Sequence, residues 1–128
     1  MTLRRCLVLA TVLAGPAGPS TAVLGQSLVA EGETLFRARC AACHSLEPGQ
    51  SRIGPALAGL AGRMAGTIEG ARYSSALRDS GLVWNAETLE AFLANPREAV
   101  PGTTMAVSLP NAAQRAAVVD FLLAPTGK

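Results

Sequence analysis

A chain of 128 residues fits one domain and cannot comfortably hold two, and Lys+Arg 11 against Asp+Glu 9 leaves a formal charge of only +2. There is no basic run, and Lys128 is the only lysine, so nucleic-acid binding is excluded as the main function. One Trp, one Tyr and three Phe supply few large groups for a core, while 13 Gly and 8 Pro fall mostly between candidate helices, as in a small domain whose loops wrap something.

Residues 1–25 have the three parts of a secretory leader. Arg4-Arg5 form a basic start, Cys6 to Ala14 an apolar run, and small residues with Pro and Gly lead to expected cleavage after Ala22 or Gly25. The apolar run is about half the length that spans a bilayer as a helix, so a cleaved leader fits better than a permanent anchor. Arg5 stands where a lipoprotein signal needs a small residue before Cys6, so a lipid anchor on that cysteine is disfavoured. Residues 26–128 are then the functional domain. It has 9 basic and 9 acidic residues once Arg4 and Arg5 are removed, and it is expected in the periplasm.

From Ser27 to Cys43 the apolar or small positions Leu28, Gly32, Leu35, Phe36, Cys40 and Cys43 recur every three or four residues, the pattern of one helix face. Gly32 costs helix propensity, which predicts close approach of another helix at that point. The helix runs into Cys40-Ala41-Ala42-Cys43-His44. Two thiols at this spacing can each add to one vinyl group of a haem, and the following imidazole can then serve as an axial ligand. A buried macrocycle would also supply the apolar mass that the side chains lack. Zinc fits poorly, since Cys6 is the only further thiol and there is no second histidine. A thioredoxin-like dithiol needs a βαβ framework, and the surroundings here read as entirely helical.

Residues 45–70 carry no sustained periodicity and are punctuated by Pro48-Gly49, Gly54-Pro55, Gly59, Gly62 and Gly66, so they read as loop. A short helix is predicted over Ser75 to Asp79, ended by Ser80-Gly81. Asn85 caps a helix over Ala86 to Ala94 with Leu89, Phe92 and Leu93 as its stripe. Asn95-Pro96 ends it and begins another, closing near Val100. After a Pro101-Gly102 loop, Asn111 with Gln114 resembles a capping box for a last helix through Leu123, striped by Ala117, Val118, Phe121 and Leu122. No strand pattern or internal repeat is present.

A haem iron with one histidine has a sixth position, and a thioether there would favour the ferrous state. Met1 leaves with the leader, and Met64 lies in the glycine-rich loop close to the motif. Met105 stands far downstream in the Pro-Gly loop, from which it could reach the opposite face.

From about Glu31 to Leu123 the chain resembles the class I cytochromes c. The resemblance rests on five blocks in family order: Cys40 to His44; Gly54-Pro55-Ala56-Leu57 with Gly62-Arg63; Tyr73 to Trp84; Asn95-Pro96; and Pro101-Gly102-Thr103-Thr104-Met105. It implies an all-α cytochrome c fold, four to five helices around one haem c held covalently by Cys40 and Cys43, with N- and C-terminal helices crossing. It implies His44 and Met105 as axial ligands, with Pro55 supporting His44 through its carbonyl. Arg63, Tyr73 and Trp84 would hydrogen-bond the propionates, and Gly32 and Phe36 would cross the last helix at Val118 and Phe121.

Three departures stand out. Phe92 replaces the family's usual tyrosine, whose hydroxyl contacts the methionine sulfur, and Val107 replaces an aromatic two residues after Met105. The lysines that ring the haem edge in mitochondrial relatives are missing, with Arg97 and Glu98 near it instead. The implied function is one-electron transfer, without enzymatic chemistry, between periplasmic redox proteins, the electron leaving near Cys43 and Val107. Its partners would be an oxidase, reductase, dehydrogenase or reaction centre, met transiently at a membrane complex by a monomer. Two alternatives remain open at this level: a haem subunit bound permanently to a dehydrogenase or sulfur-oxidising enzyme, and a peroxidase or gas sensor with a labile Met105 bond.

Overall fold

The protein is described by a computed structural model covering residues 21–125; the basic start and apolar run of the expected leader lie outside the described residues. Five helices follow in order: α1 (Thr21–Arg39), α2 (Ser75–Asp79), α3 (Ala86–Ala94), α4 (Pro96–Ala99) and α5 (Ala112–Leu123). The described residues form no strand, and their only extended pairing is an isolated antiparallel bridge between Met64 and Val83. No helix among them is long and apolar enough to cross a membrane.

The caps explain why four of these helices begin where they do. Ser74 accepts from the Leu77 N–H at 3.2 Å, starting α2. Asn85 and Thr88 exchange two bonds at the head of α3, 2.9 Å from the Thr88 N–H and 3.0 Å from the Asn85 N–H. Pro96 occupies the first turn of α4, where its missing N–H costs nothing. At α5 only half of the expected box forms: Asn111 accepts from the Gln114 N–H at 3.0 Å, with no reciprocal side-chain bond from Gln114.

Helix α1 departs from its predicted bounds at both ends. It runs N-terminal of Ser27 as far as Thr21, the first described residue, so both expected cleavage points fall within it. It ends at Arg39 instead of Cys43. The Phe36 carbonyl accepts from both Cys40 (2.8 Å) and Ala41 (3.0 Å), and the second of these bonds spans five residues. That widening closes the helical ladder, and the motif forms a separate turn in which the Cys43 and His44 N–H groups both donate to the Cys40 carbonyl, at 3.0 and 2.9 Å.

The frame is the crossing of α1 with α5, with α3 packed on α5 and α4 on α3. Gly32 is buried there, and a Cβ at that position would overlap the Ala117 carbonyl and the Phe121 Cβ. The close approach predicted from Gly32 is therefore present, but it falls at Ala117 and Phe121 instead of Val118 and Phe121. Ala117 and Phe121 are one turn apart and share a face, whereas Val118 is rotated about 100° from Ala117 and lines the interior cavity with Leu122. Phe36 packs on Phe121 with ring centroids 5.7 Å apart. Beneath the crossing, Leu60, Trp84, Leu89, Phe92, Leu93, Leu109, Val118 and Val119 form one core, with Trp84 edge-on to Phe92 at 5.2 Å.

Candidate functional site

One side of this core is a cavity of about 250 Å³. Its walls are mostly apolar, drawn from Leu57, Leu60, Leu77, Leu89, Phe92, Leu93, Val118 and Leu122. All eight site residues named from the sequence line it: Cys40, Cys43, His44, Pro55, Arg63, Tyr73, Trp84 and Met105. Met64 does not; it sits on the outer bridge, 51% exposed.

The motif side is closely held. The Gly54 N–H donates to the Cys43 carbonyl at 2.9 Å and the Leu57 N–H to the Ser45 carbonyl at 2.8 Å, so the following loop doubles back on the motif. Arg52 donates to the Ala41 carbonyl at 2.7 Å. His44 Nδ1 lies 2.8 Å from the Pro55 carbonyl, which can only accept, so Nδ1 is the donor and the neutral ring presents its lone pair at Nε2. Gly54 makes room for this ring, since a Cβ there would overlap all three imidazole atoms nearest it. The bond from His44 to Pro55 is the one the family resemblance implies.

Cys40 and Cys43 are free thiols at the cavity wall. Burial pushes the Cys40 thiol up, against the lowering effect of Arg39 and with a small further rise from Cys43. A redox-active dithiol works through a depressed thiol pKa, so this environment argues against disulfide exchange as the role of the pair.

Arg63 is half-buried and donates to the carbonyls of Ala58 (2.7 Å) and Ala56 (3.0 Å), which ties down the glycine-rich loop. Burial lowers its pKa, with Tyr73 beside it acting in the opposite direction. The two ion pairs among the described residues, Arg37 with Glu33 and Arg115 with Glu90, leave Arg63 without a carboxylate. A desolvated cation on the cavity wall is matched by a ligand that brings its own anion.

Met105 is half-buried against the core. At the mouth, Val107 is 42% and Ile53 75% exposed, and the exposed Arg39 and Arg72 also reach the lining. Ile53, Leu77 and Arg72 carry no signal in the sequence, because each reads as an ordinary loop or short-helix residue; only the folding of residues 45–80 around the cavity brings them to it.

Paired thiols, an imidazole with its distal nitrogen free, apolar walls and an uncompensated cation define a site for a covalently attached haem in a helical protein. The comparisons agree. Residues 29–124 match the family model described as Cytochrome c, and the chain belongs to this family. A cytochrome c of Gibberella zeae is 47% identical over 79 residues, which is 61% of this chain and 74% of the relative. Cytochrome c2 iso-2 of Magnetospirillum fulvum is 45% identical over 84 residues, 65% of this chain and 88% of the relative. The solved structure of cytochrome cH from Methylobacterium extorquens superposes with a TM-score of 0.68 at 35% identity, over 73% of this chain and 95% of that one. The protein is thus an electron carrier and not an enzyme, with one c-type haem bound covalently through Cys40 and Cys43.

Proposed function

We propose that His44 and Met105 are the two axial ligands and that the protein shuttles single electrons between redox proteins of the periplasm after removal of residues 1–25. The observation that carries the ligand reading is that His44 and Met105 line one cavity while Met64 lies outside it. Bound haem supplies the iron couple. The polypeptide supplies a fixed geometry: Pro55 orients the imidazole, the apolar walls keep water out, and Arg63, Tyr73 and Trp84, which line the same cavity, would hydrogen-bond the propionates. Two ligands present in both oxidation states keep rearrangement on transfer small. A partner would approach the mouth, where Val107 and Ile53 are exposed.

Export is supported by the character of α1. Gly25 to Leu28 are exposed, and the close contact of Gly32 with Ala117 and Phe121 lies beyond both points, so cleavage after Ala22 or Gly25 spares that contact. The mass of the mature protein from a periplasmic fraction checks this.

Met105→Ala tests the ligand set. The oxidised wild-type protein is expected to show the weak deep-red charge-transfer band of methionine on ferric haem, and its reduced form to bind carbon monoxide slowly. Met105→Ala should lose the band, lower the potential and gain peroxidase activity, while Met64→Ala should do none of these. The reverse result assigns the ligand to Met64, and a high-spin wild-type spectrum counts against a simple carrier.

A further inference from the structure

The segment that carries Met105 has little to hold it. Among the described residues, Thr104 to Ser108 neither donate nor accept a backbone-to-backbone hydrogen bond. Their polar contacts are two long ones, the Met105 N–H to Thr103 Oγ1 and Arg39 to the Ser108 carbonyl, at 3.4 and 3.5 Å. The position of Met105 is therefore set by the ends of the loop. At the first end the Thr103 N–H donates to the Val100 carbonyl at 3.0 Å, and at the second the Leu109 N–H donates to the Leu93 carbonyl at 2.7 Å.

A side-chain clasp reinforces the second end. Arg115, on the first turns of α5, donates to the carbonyls of Leu109 (2.8 Å) and Pro110 (3.2 Å), and its Nε lies 2.5 Å from Glu90 Oε2 on α3. The Arg115 side chain is 16% exposed and that of Glu90 33%. This is one guanidinium fork with three acceptors on two segments, the loop end and α3, and a lysine, a single point donor, cannot reproduce it.

We propose that Arg115, oriented by Glu90, is a positioning residue that holds the Met105 loop closed, so that the clasp governs how readily Met105 yields its place. The inference rests on the reading of Met105 as an iron ligand. It concerns an ion pair that neither the motif nor the propionate partners involve.

The test uses the haem-loaded protein, with imidazole as the competing ligand. Arg115→Met is expected to raise the affinity of the ferric form for imidazole about tenfold, equivalent to about 1.4 kcal/mol, and to weaken the deep-red band. Arg115→Lys should recover only part of the wild-type behaviour. Val119→Ala, which hollows the buried face of the same helix at a residue outside the cavity lining, should lower the denaturation midpoint and leave imidazole affinity unchanged. An unchanged affinity in Arg115→Met, or an equal rise in Val119→Ala, overturns the proposal. Met105→Ala separates the two readings. If it keeps the band, the ligand assignment fails; if it loses the band while Arg115→Met behaves as wild type, the clasp alone fails. Should Arg115→Met not accumulate, Glu90→Gln carries the test, with an expected rise of about threefold, and no rise there sinks the idea.

Discussion

His44 is held by its neighbours from several directions, whereas Met105 rides on a stretch with almost no hydrogen bonds of its own. On the histidine side the ring is bonded to Pro55, backed by Gly54 and set in a turn that two backbone bonds to Cys40 and the Arg52 side chain close. On the methionine side, five consecutive residues depend on their ends. The difference follows from chemistry. Covalent attachment brings the two thiols and the imidazole together in one turn, so that region is built locally and rigidly. The second ligand we propose, Met105, comes from far along the chain, through a loop whose closure is a tertiary event. Ligand exchange in this protein should therefore begin at Met105.

The most damaging way to break that contrast is Gly54→Val. The added carbons would occupy space held by the imidazole, and neither the ring, tied to Pro55, nor the loop, tied to Cys43, can move without losing a bond. We expect a loss of about 3 kcal/mol or more in the haem-loaded protein, read as the denaturant midpoint, together with a disturbed low-spin spectrum. Arg63→Leu comes next. It strips the Ala56 and Ala58 carbonyls of a charged donor and should cost about 2 kcal/mol by the same measurement. Arg52→Ala is smaller, since its bond to Ala41 is exposed: about 0.5–1 kcal/mol, with the imidazole affinity of the ferric protein unchanged. Were Arg52→Ala to loosen the Met105 side as well, the two sides would not be independent.

What could be read in advance divides along the same line. The haem motif, the Asn85 and Asn111 caps and the proline that starts α4 are local, so a few adjacent residues suffice to state them. Close approach of another helix was legible from Gly32 and the partner helix only from the resemblance, but the register was not: stripe positions one residue apart differ by about 100°, and only packing decides that Ala117 meets Gly32 while Val118 faces the cavity. The end of α1 at Arg39 depends on a carbonyl shared by two donors, which no propensity encodes. Arg63, Tyr73 and Trp84 emerged through resemblance, as blocks in order, and not from periodicity. The pairing of Arg115 with Glu90 was invisible for a plainer reason: 25 residues apart, each looks like a solvated charge.

Phe92 offers the finest adjustment of the Met105 side. It is buried on the cavity wall, edge-on to Trp84, in the same lining as Met105. Phe92→Tyr adds one hydroxyl to that lining without changing the ring, so its effect on stability should stay within about 1 kcal/mol provided the hydroxyl finds an acceptor. A soft acceptor in the same lining is the Met105 thioether. A donor on that sulfur draws electron density from it, weakens its donation to the iron and disfavours the ferric state relative to the ferrous. The potential measured by redox titration should rise, with the deep-red band shifted but retained. An unchanged potential would mean that the hydroxyl bonds elsewhere and that Phe92 contributes shape alone. Loss of the band would mean that Met105 is displaced by so small a change, and that the loop is held even less firmly than its hydrogen bonds suggest.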